Sequence, residues 1–335
     1  MDIETQNRVI SILKILQNEK KAMGSTAIAR KIIAHGLYWP ERTVRYYLKI
    51  CDDASFTRKI SEKSGRILTD LGREEIASSF VMKKLGKMSS RINALSYEMD
   101  FILKKKIGTV IMNISIINKK EFYQNKHHIK NVYKKKLGMG EYLLLPSRAD
   151  EYPEFNGLPA VLKNSNKIII GTLCSVTLNG IFMKYKIYIK SVFGGLLEMK
   201  NHLPFRFTEI INYDGTSLDP IEMFLKVKMT TMRDYLETGS GKITASFREA
   251  PAVAYHEVIK LAKNLDHAGL NGILAIGKPG MPLCGIPVAE ENFGLIITGG
   301  LNPLAPLIEK NIAVENHALH TLFDFSRLKN YNNIL

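Results

Sequence analysis

The sequence predicts a protein of the α+β / α/β class, with an N-terminal winged helix-turn-helix followed by a mixed-sheet α/β domain. Three observations lead to this prediction. Residues 1–55 carry three segments with helical periodicity, residues 56–69 carry two short β-prone runs around a glycine, and from residue 107 β-branched runs alternate with helical segments. The predicted boundaries are a winged helix over residues 1–80, a linker helix over 81–106 and an α/β domain over 107–335.

Residues 41–49 form the predicted third helix, and its outer face has the chemistry that DNA contact requires. Val44, Leu48 and Cys51 recur at helical spacing and predict a buried face. The polar side chains of the opposite face are Arg42, Thr43, Arg45, Tyr46 and Lys49. Arginine can bridge two acceptors of guanine, whereas threonine, tyrosine and lysine can hold the phosphate backbone. A basic amphipathic helix is common in proteins, so its neighbours decide the interpretation.

The elements around this helix match a winged helix. Apolar residues at helical spacing predict a first helix over residues 5–18, and Gly24 precedes a second over 26–33. Pro40 suits the start of the third helix, because proline loses no hydrogen bond there. The strands at 56–60 and 66–69 then flank a hairpin tip. This hairpin supplies Lys59, Lys63 and Arg66, which in a winged helix lie beside the DNA backbone.

Positive charge is concentrated in the first 140 residues. Residues 1–90 contain 17 Lys and Arg against 10 Asp and Glu, and residues 91–140 contain 11 against 3. Residues 141–335 contain 19 of each kind, so the whole net charge of +15 lies in the first part. This asymmetry is expected where one end of a protein meets a polyanion such as double-stranded DNA. A membrane surface attracts the same charge, but no strongly apolar face accompanies these residues.

Several function classes receive no support from the sequence. No run of eighteen apolar residues and no signal peptide is present, so we expect a cytoplasmic protein without a membrane partner. The three cysteines are far apart and are expected to be small core residues rather than disulfide or zinc ligands. We predict no catalytic residues, no metal ligands and no cofactor, because no nucleophile with a base in a known motif and no HExxH motif occurs.

The second half alternates between predicted strands and helices. A buried strand over 107–117 precedes a basic helix over 119–136, and further strands are expected at 142–145, 167–173, 180–189, 194–198 and 206–207. Residues 147–159 are expected to form an acid-rich loop. Helices are predicted over 219–226 and 253–265, glycine-bounded strands over 272–277 and 294–300, and a closing helix from Pro306. The helix over 80–106 is compatible with a linker, a dimer contact or packing on its own domain.

Two groups of motifs carry a family resemblance. The segments ERTVRYYL at 41–48 and SGRILTDLG at 64–72 are similar to the winged helix of the archaeal nitrogen-regulation repressors of the NrpR type. Residues 107–325 resemble the effector domain of the same family. The motifs that carry this second resemblance are YDGTSLDP at 213–220, TGSGKI at 238–243, SFRE at 246–249, IGKPGMP at 276–282, GIPV at 285–288 and GGLNP at 299–303.

The resemblance implies a function for both halves. It implies a transcriptional repressor of nitrogen-assimilation genes that acts as a homodimer and binds double-stranded operator DNA. It further implies an effector-binding and dimerisation domain over 107–335, with 2-oxoglutarate as the small-molecule effector that releases the repressor from DNA.

A dicarboxylate effector requires fixed cations and convergent hydroxyl or backbone donors. Lys242, Arg248 and Lys278 lie in or beside glycine-rich or serine-rich turns and can meet two carboxylates. Thr216, Ser217 and Ser240 can add hydroxyl hydrogen bonds. For any single one of these residues, a purely structural turn is the favoured interpretation, and as a set they are the best candidates for effector binding.

Two other functions remain open at the level of the sequence. One is an enzyme that acts on a small carboxylate or phosphate and carries an accessory winged helix. However, GSGK at 239–242 lacks the upstream glycine and the final Ser or Thr of a phosphate-binding loop, since position 236 is Leu and position 243 is Ile. The other is a nonspecific nucleic-acid binder that uses the basic helix over 119–136. Glu315, His317 and His320 could bind a metal from one helix, but a solvated helix face is the favoured interpretation of these residues.

Overall fold

A computed structural model of the chain describes residues 3–34, 36–61, 64–82, 86–145 and 166–335. The protein divides into two compact units, residues 1–85 and residues 86–335. The first unit has a hydrophobic core of its own. The core of the second unit consists of two large clusters of buried side chains.

The first unit has the predicted winged-helix order. Its elements are α1 (Ile3–Glu19), α2 (Ser25–Ala34), α3 (Glu41–Asp53), β1 (Thr57–Ser61), β2 (Gly65–Leu68) and α4 (Asp70–Met82). The two strands pair antiparallel, with Thr57 opposite Leu68. These predictions are confirmed. The hairpin residue Lys63 lies outside the described residues.

The first three helices of this unit pack around one core. Leu13 of α1, Ile28 of α2 and Val44 of α3 have no exposed surface. Gly65 starts β2 with a φ of +84°, and a Cβ atom there would lie 2.1 Å from the backbone carbon of Met23. Glycine at this position therefore allows β2 to pair with the segment before α2, through hydrogen bonds of 3.0 Å in both directions between Met23 and Arg66.

The second unit is built on two antiparallel sheets. Its strands are β3 (Thr109–Asn118), β4 (Tyr142–Leu144), β5 (Lys167–Leu173), β6 (Lys190–Lys200), β7 (Leu203–Asn212), β8 (Gly241–Pro251), β9 (Ile273–Ile276), β10 (Asn292–Thr298), β11 (Val314–Asp324) and β12 (Lys329–Asn330). The strand orders are β11-β3-β5-β4-β12 and β7-β6-β8-β10-β9. The predicted α/β character is confirmed, and every pair among the described strands is antiparallel.

Helices flank and connect these sheets. They are α5 (Lys87–Glu98), α6 (Lys119–Lys134), α7 (Thr177–Lys184), α8 (Pro220–Lys226), α9 (Met232–Thr238), α10 (Tyr255–His267), α11 (Ala305–Glu309) and α12 (Tyr331–Ile334). The predicted helix after Asp219 is confirmed, and the Asp219 carboxylate accepts a hydrogen bond of 2.9 Å from the backbone N–H of Glu222. One buried cluster joins Ile114 and Leu173 of the first sheet to Leu295 and Ile297 of the second.

The GGLNP motif forms a buried turn where the two sheets meet. The side chain of Asn302 donates to the backbone oxygen of Thr244 at 2.9 Å and accepts from its backbone N–H at 3.1 Å. A Cβ atom on Gly299 would lie 2.1 Å from Oγ1 of Thr244, and one on Gly300 would lie 2.3 Å from the backbone oxygen of Leu173. These contacts show that the motif packs the two sheets together.

Three predicted elements were wrong in extent or type. Part of the predicted strand over 180–189 is helix α7, where Gly180 allows close packing against Met99 of the segment after α5. A short apolar run does not distinguish strand from helix, and this tertiary contact decides. The predicted helix over 80–106 ends at Glu98, and the lysines at 104–106 follow in a turn.

The closing helix predicted from Pro306 also ends early, at Glu309. Residues 314–324 instead form β11, which pairs with β3 along the edge of the first sheet. Glu315 and His317 therefore lie on a strand, and the helix expected for these residues, with its solvated face, was wrong. The acid-rich loop predicted over 147–159 lies outside the described residues.

Candidate functional site

The helix α3 presents the predicted polar face. Its buried side is formed by Val44, Tyr47, Leu48 and Cys51. Arg42, Arg45 and Lys49 are exposed, Thr43 is half-buried, and Tyr46 has 61% of its surface exposed. The helix begins after Pro40, whose φ of −54° suits this position. The structure therefore leaves the predicted DNA-contacting residues of α3 on one accessible face.

A short polar chain orients Arg45 on this face. Nη2 of Arg45 lies 2.6 Å from Oε1 of Glu41, one helical turn away. The same Glu41 oxygen accepts a hydrogen bond of 3.0 Å from the hydroxyl of Ser25 in α2. The hydrogen bonds from Arg45 and then Ser25 hold the pKa of Glu41 below its usual value. Arg45 is thus directed along the helix before it meets any partner.

The predicted wing residues differ in their surroundings. Lys59 is exposed on β1. Nε of Arg66 lies 2.7 Å from Oδ2 of Asp52, and only 17% of the Arg66 side chain is exposed. Asp52 also accepts a hydrogen bond of 2.6 Å from the hydroxyl of Thr57. Arg66 therefore ties the hairpin to the end of α3, which is a positioning role that sequence periodicity does not reveal.

We expect Arg66→Ala to lower the free energy of unfolding of the first unit by about 1 kcal/mol, because a half-buried ion pair is lost. Thermal denaturation followed by circular dichroism measures this change. Arg58→Ala is a matched control, since Arg58 is exposed on the neighbouring strand. Equal effects of the two substitutions would contradict a special role for the Arg66–Asp52 pair.

The sequence analysis missed an aromatic anchor beneath α3. The guanidinium of Arg8 lies 5.5 Å from the ring centres of both Trp39 and Tyr47. Its Nη1 atom donates to the Tyr47 hydroxyl at 3.3 Å. These contacts fix the start of α3 to α1. The single tryptophan directly before Pro40 was the one available signal in the sequence.

The six predicted effector-binding residues do not converge on one site. Ser240 and Lys242 line an open cleft of about 410 Å³ beside Glu198 and Lys200. Thr216 closes its own turn, since its hydroxyl accepts from the backbone N–H of Leu218 at 3.0 Å. Ser217 is half-buried in that turn. The assignment of these residues to an effector stays a prediction.

The two remaining predicted cations are also separated from Lys242. Arg248 lies six residues further along β8, which corresponds to roughly 20 Å in an extended strand. Lys278 is exposed in the segment after β9. A single small dicarboxylate therefore cannot contact both Lys242 and the Arg248 guanidinium in this geometry.

Arg248 differs from the other predicted residues because it is buried, with 1% of its surface exposed. Its Nη1 atom donates to Oδ1 of Asn179, and its Nη2 atom donates to the hydroxyl of Ser175 at 3.1 Å. Burial lowers the pKa of Arg248 to about 10, so the side chain is still charged at neutral pH. A buried cation with neutral partners is an unusual use of an arginine.

Comparison with known proteins agrees with this division into two units. Residues 85–330 match the family model of the NrpR regulatory domains NRD1 and 2. The chain belongs to the NrpR family. Residues 10–76 of this NrpR-family chain match the model of the ribonuclease R winged-helix domain. The resemblance inferred from the motifs is therefore confirmed.

The relatives of this NrpR-family chain are archaeal regulators. The chain is 33% identical to the global nitrogen regulator NrpRI of Methanosarcina mazei over 98% of its own length and 99% of that protein. It is 28% identical to the global nitrogen regulator NrpR of Methanocaldococcus jannaschii, over 93% of this chain and 53% of that relative. These relatives are named as regulators and not as enzymes, which confirms the expectation of a non-enzymatic protein.

A solved structure supports the same fold. The crystal structure of a nitrogen repressor-like protein from Methanococcus jannaschii superposes with a TM-score of 0.59 at 33% identity. The match covers 73% of this NrpR-family chain and 98% of the solved one. Among the described residues we find no helix with the length and apolarity needed to cross a bilayer.

Proposed function

We propose that this protein is a transcriptional repressor of nitrogen-assimilation genes, which binds operator DNA through α3 and is released by 2-oxoglutarate. The exposed basic face of α3, in a winged helix joined to an NrpR regulatory domain, is the observation that carries this proposal. The names of the relatives as global nitrogen regulators support the same function.

The proposed DNA contact follows the chemistry of the α3 face. The side chains of Arg42 and Arg45 have the planar donors that can bridge O6 and N7 of guanine in the major groove. In this proposal Tyr46, Lys49 and the wing residue Lys59 hold phosphates, which gives affinity without sequence preference. The excess of +7 over residues 1–90 supports attraction to the duplex.

Release by the effector requires a difference in affinity between two arrangements of the protein. We propose that a homodimer presents two α3 helices to successive half-sites of an operator. A dicarboxylate that binds better to an arrangement with the wrong spacing shifts the population away from the DNA-bound form. Only this difference in the affinity of the effector for the two arrangements can drive release.

A salt-titrated binding assay on an operator duplex and on a scrambled duplex tests this function. We expect the operator to be bound at least about 1,000-fold more tightly, as is usual for specific readers. We expect 2-oxoglutarate to weaken operator binding by roughly 5- to 150-fold, the usual range of allosteric coupling.

The other outcomes of this assay contradict the proposal in different ways. Equal affinity for both duplexes would favour nonspecific binding, to which the exposed lysines of α6 would contribute. Specific binding that does not respond to 2-oxoglutarate would preserve the repressor and exclude this effector.

A further inference from the structure

Helix α6 and the turn after it carry most of the positive charge of the second unit. Residues 119–136 contain seven lysines and one glutamate, which is a net charge of +6. Residues 86–335 as a whole contain 31 Lys and Arg against 22 Asp and Glu, which is a net charge of +9. Two thirds of the surplus therefore lies in one short part of this unit.

The lysines lie on the solvent side of α6. Phe122, Ile129 and Val132 have no exposed surface, so they fix the opposite face of the helix to the core. None of the seven lysines forms an ion pair with a carboxylate of the described residues. The fully exposed ones are Lys119, Lys120, Lys134, Lys135 and Lys136. This face therefore holds its positive charge without a counterion from the described chain.

The acid-rich part of the sequence cannot supply enough negative charge either. Residues 146–165, which lie outside the described ranges, contain three Asp and Glu against two Lys and Arg. Their net charge of −1 is small beside the +6 of residues 119–136. Most of the charge of α6 is thus left for an anionic partner.

A fixed cation extends the charged face beyond α6. Nζ of Lys310, which follows α11, donates to Nε2 of His128 at 2.7 Å and to Oδ1 of Asn125 at 3.4 Å. Burial, followed by the charges of His127 and Lys310, lowers the pKa of His128 to about 4, so this ring is neutral at neutral pH and can accept. Neutral acceptors orient the ammonium group without cancelling its charge. Lys310 therefore adds a positioned positive charge beside the lysines of α6.

The composition of this face indicates the class of partner. Of the large apolar side chains of α6, which is described in full, only Tyr123 is exposed. A protein interface usually has an apolar centre with few lysines, and a helix on a membrane surface has a broad apolar face. A second copy of this chain would present the same charge and be repelled. Phosphates of a nucleic acid require only cations and hydrogen-bond donors.

We propose that α6 and Lys310 form a second contact with double-stranded DNA, which holds phosphates outside the bases read by α3. The inference rests on the proposed function, because that function supplies DNA as the partner. From Lys120 to Lys134 the helix axis rises roughly 21 Å, so its lysines can meet several phosphates along one backbone. Such contacts add affinity without sequence preference, since phosphates are alike at every base pair.

Salt-titrated fluorescence anisotropy of the full-length protein tests this contact, with duplexes that extend well beyond the operator on both sides. The test variant carries Lys120→Gln, Lys134→Gln and Lys135→Gln, which remove exposed cations of α6 and its C-terminus. We expect the slope of log affinity against log salt to become less steep by roughly 2 to 3, at about 0.9 for each lost phosphate contact. At about 0.15 M salt, operator and scrambled duplex should both be bound at least 10-fold less tightly, with their ratio unchanged.

The matched control removes the same charge from other helices of the second unit. It carries Lys226→Gln, Lys260→Gln and Lys263→Gln, at exposed positions of α8 and α10. We expect its salt slope and its affinities to match those of the parent protein. Melting temperatures close to that of the parent should show that both variants are folded, as expected for substitutions of exposed side chains.

The remaining outcomes separate this inference from the proposed function. Equal slopes for the parent and the α6 variant, with the operator still preferred, would overturn the inference alone and would favour an acidic protein as the partner of α6. Equal losses in the α6 variant and the control would also overturn it, because net charge alone would then explain the effect. A parent without preference for the operator would overturn the proposed function, whereas a loss of slope only in the α6 variant would still support the contact. Binding of neither duplex by the parent would overturn both.

Discussion

Replacing both Arg42 and Arg45 with alanine is expected to lower the ratio of operator to scrambled-duplex affinity by about 100-fold or more. Each bidentate arginine–guanine pair contributes roughly 1–3 kcal/mol of discrimination against a wrong base. Both side chains are exposed on the accessible face of α3, and the buried residues of the helix are unaffected. Fluorescence anisotropy with the two duplexes at several salt concentrations measures the ratio.

A matched variant separates base reading from loss of charge. Arg30→Ala with Arg73→Ala removes the same charge from exposed positions of α2 and α4. This control should weaken both duplexes to a similar extent and keep their ratio. If the α3 double variant behaves in the same way, Arg42 and Arg45 contact only phosphates, and sequence is read by other residues.

The ion pair between Arg45 and Glu41 bears on how this discrimination arises. Glu41 holds the guanidinium along the helix and is itself fixed by Ser25. Part of the cost of ordering the arginine is therefore met before DNA binds. Arg45 must leave Glu41 in order to contact a base. A wrong base that cannot accept hydrogen bonds from Arg45 in place of Glu41 leaves Arg45 paired with Glu41.

The winged helix could be predicted because its signals are local. Val44, Leu48 and Cys51 mark the inner face of α3 by spacing alone, and Gly65 marks the start of the second strand of the hairpin. The role of Arg66 could not be predicted in this way. Its neighbour Asp52 is fourteen positions away, and only the fold brings the two side chains within 2.7 Å.

The glycine-rich motifs of the second unit show a different limit. Glycine at a ligand-binding loop and glycine at a tight packing contact have the same sequence signal, because both need the missing Cβ atom. GGLNP at 299–303 proves to be a packing turn. Gly239 of the TGSGKI motif instead ends α9, with a φ of +76°. Family motifs therefore located the domain correctly and left the effector site undetermined.

Burial of Arg248 is the feature that sequence patterns conceal most completely. In SFRE at 246–249 an arginine on a strand is expected to face solvent, as most arginines do. The fold instead places β8 between β6 and β10, with α7 above Arg248, so that the side chain meets Asn179 and Ser175. Its hydrogen-bond partners come from segments about seventy residues away, which is why its burial was not predicted.

The junction of the two sheets gives the largest expected effect on stability. Gly300→Ala should lower the free energy of unfolding of the second unit by about 3 kcal/mol or more, the range of severe overpacking in a core. The added Cβ atom would lie 2.3 Å from the backbone oxygen of Leu173 and 2.6 Å from Nδ2 of Asn113. Neither neighbour can withdraw, because Leu173 belongs to β5 and Oδ1 of Asn113 accepts from the backbone N–H of Leu319 at 3.1 Å.

Gly215→Ala is the matched control, since no heavy atom lies within 4 Å of the Cβ position there and its φ is not in the left-handed region. Differential scanning calorimetry of the full chain should show a lower transition temperature for the second unit in Gly300→Ala and an unchanged one in Gly215→Ala. An unchanged transition in Gly300→Ala would mean that the two sheets can separate at this point, and it would contradict their close packing through the GGLNP turn.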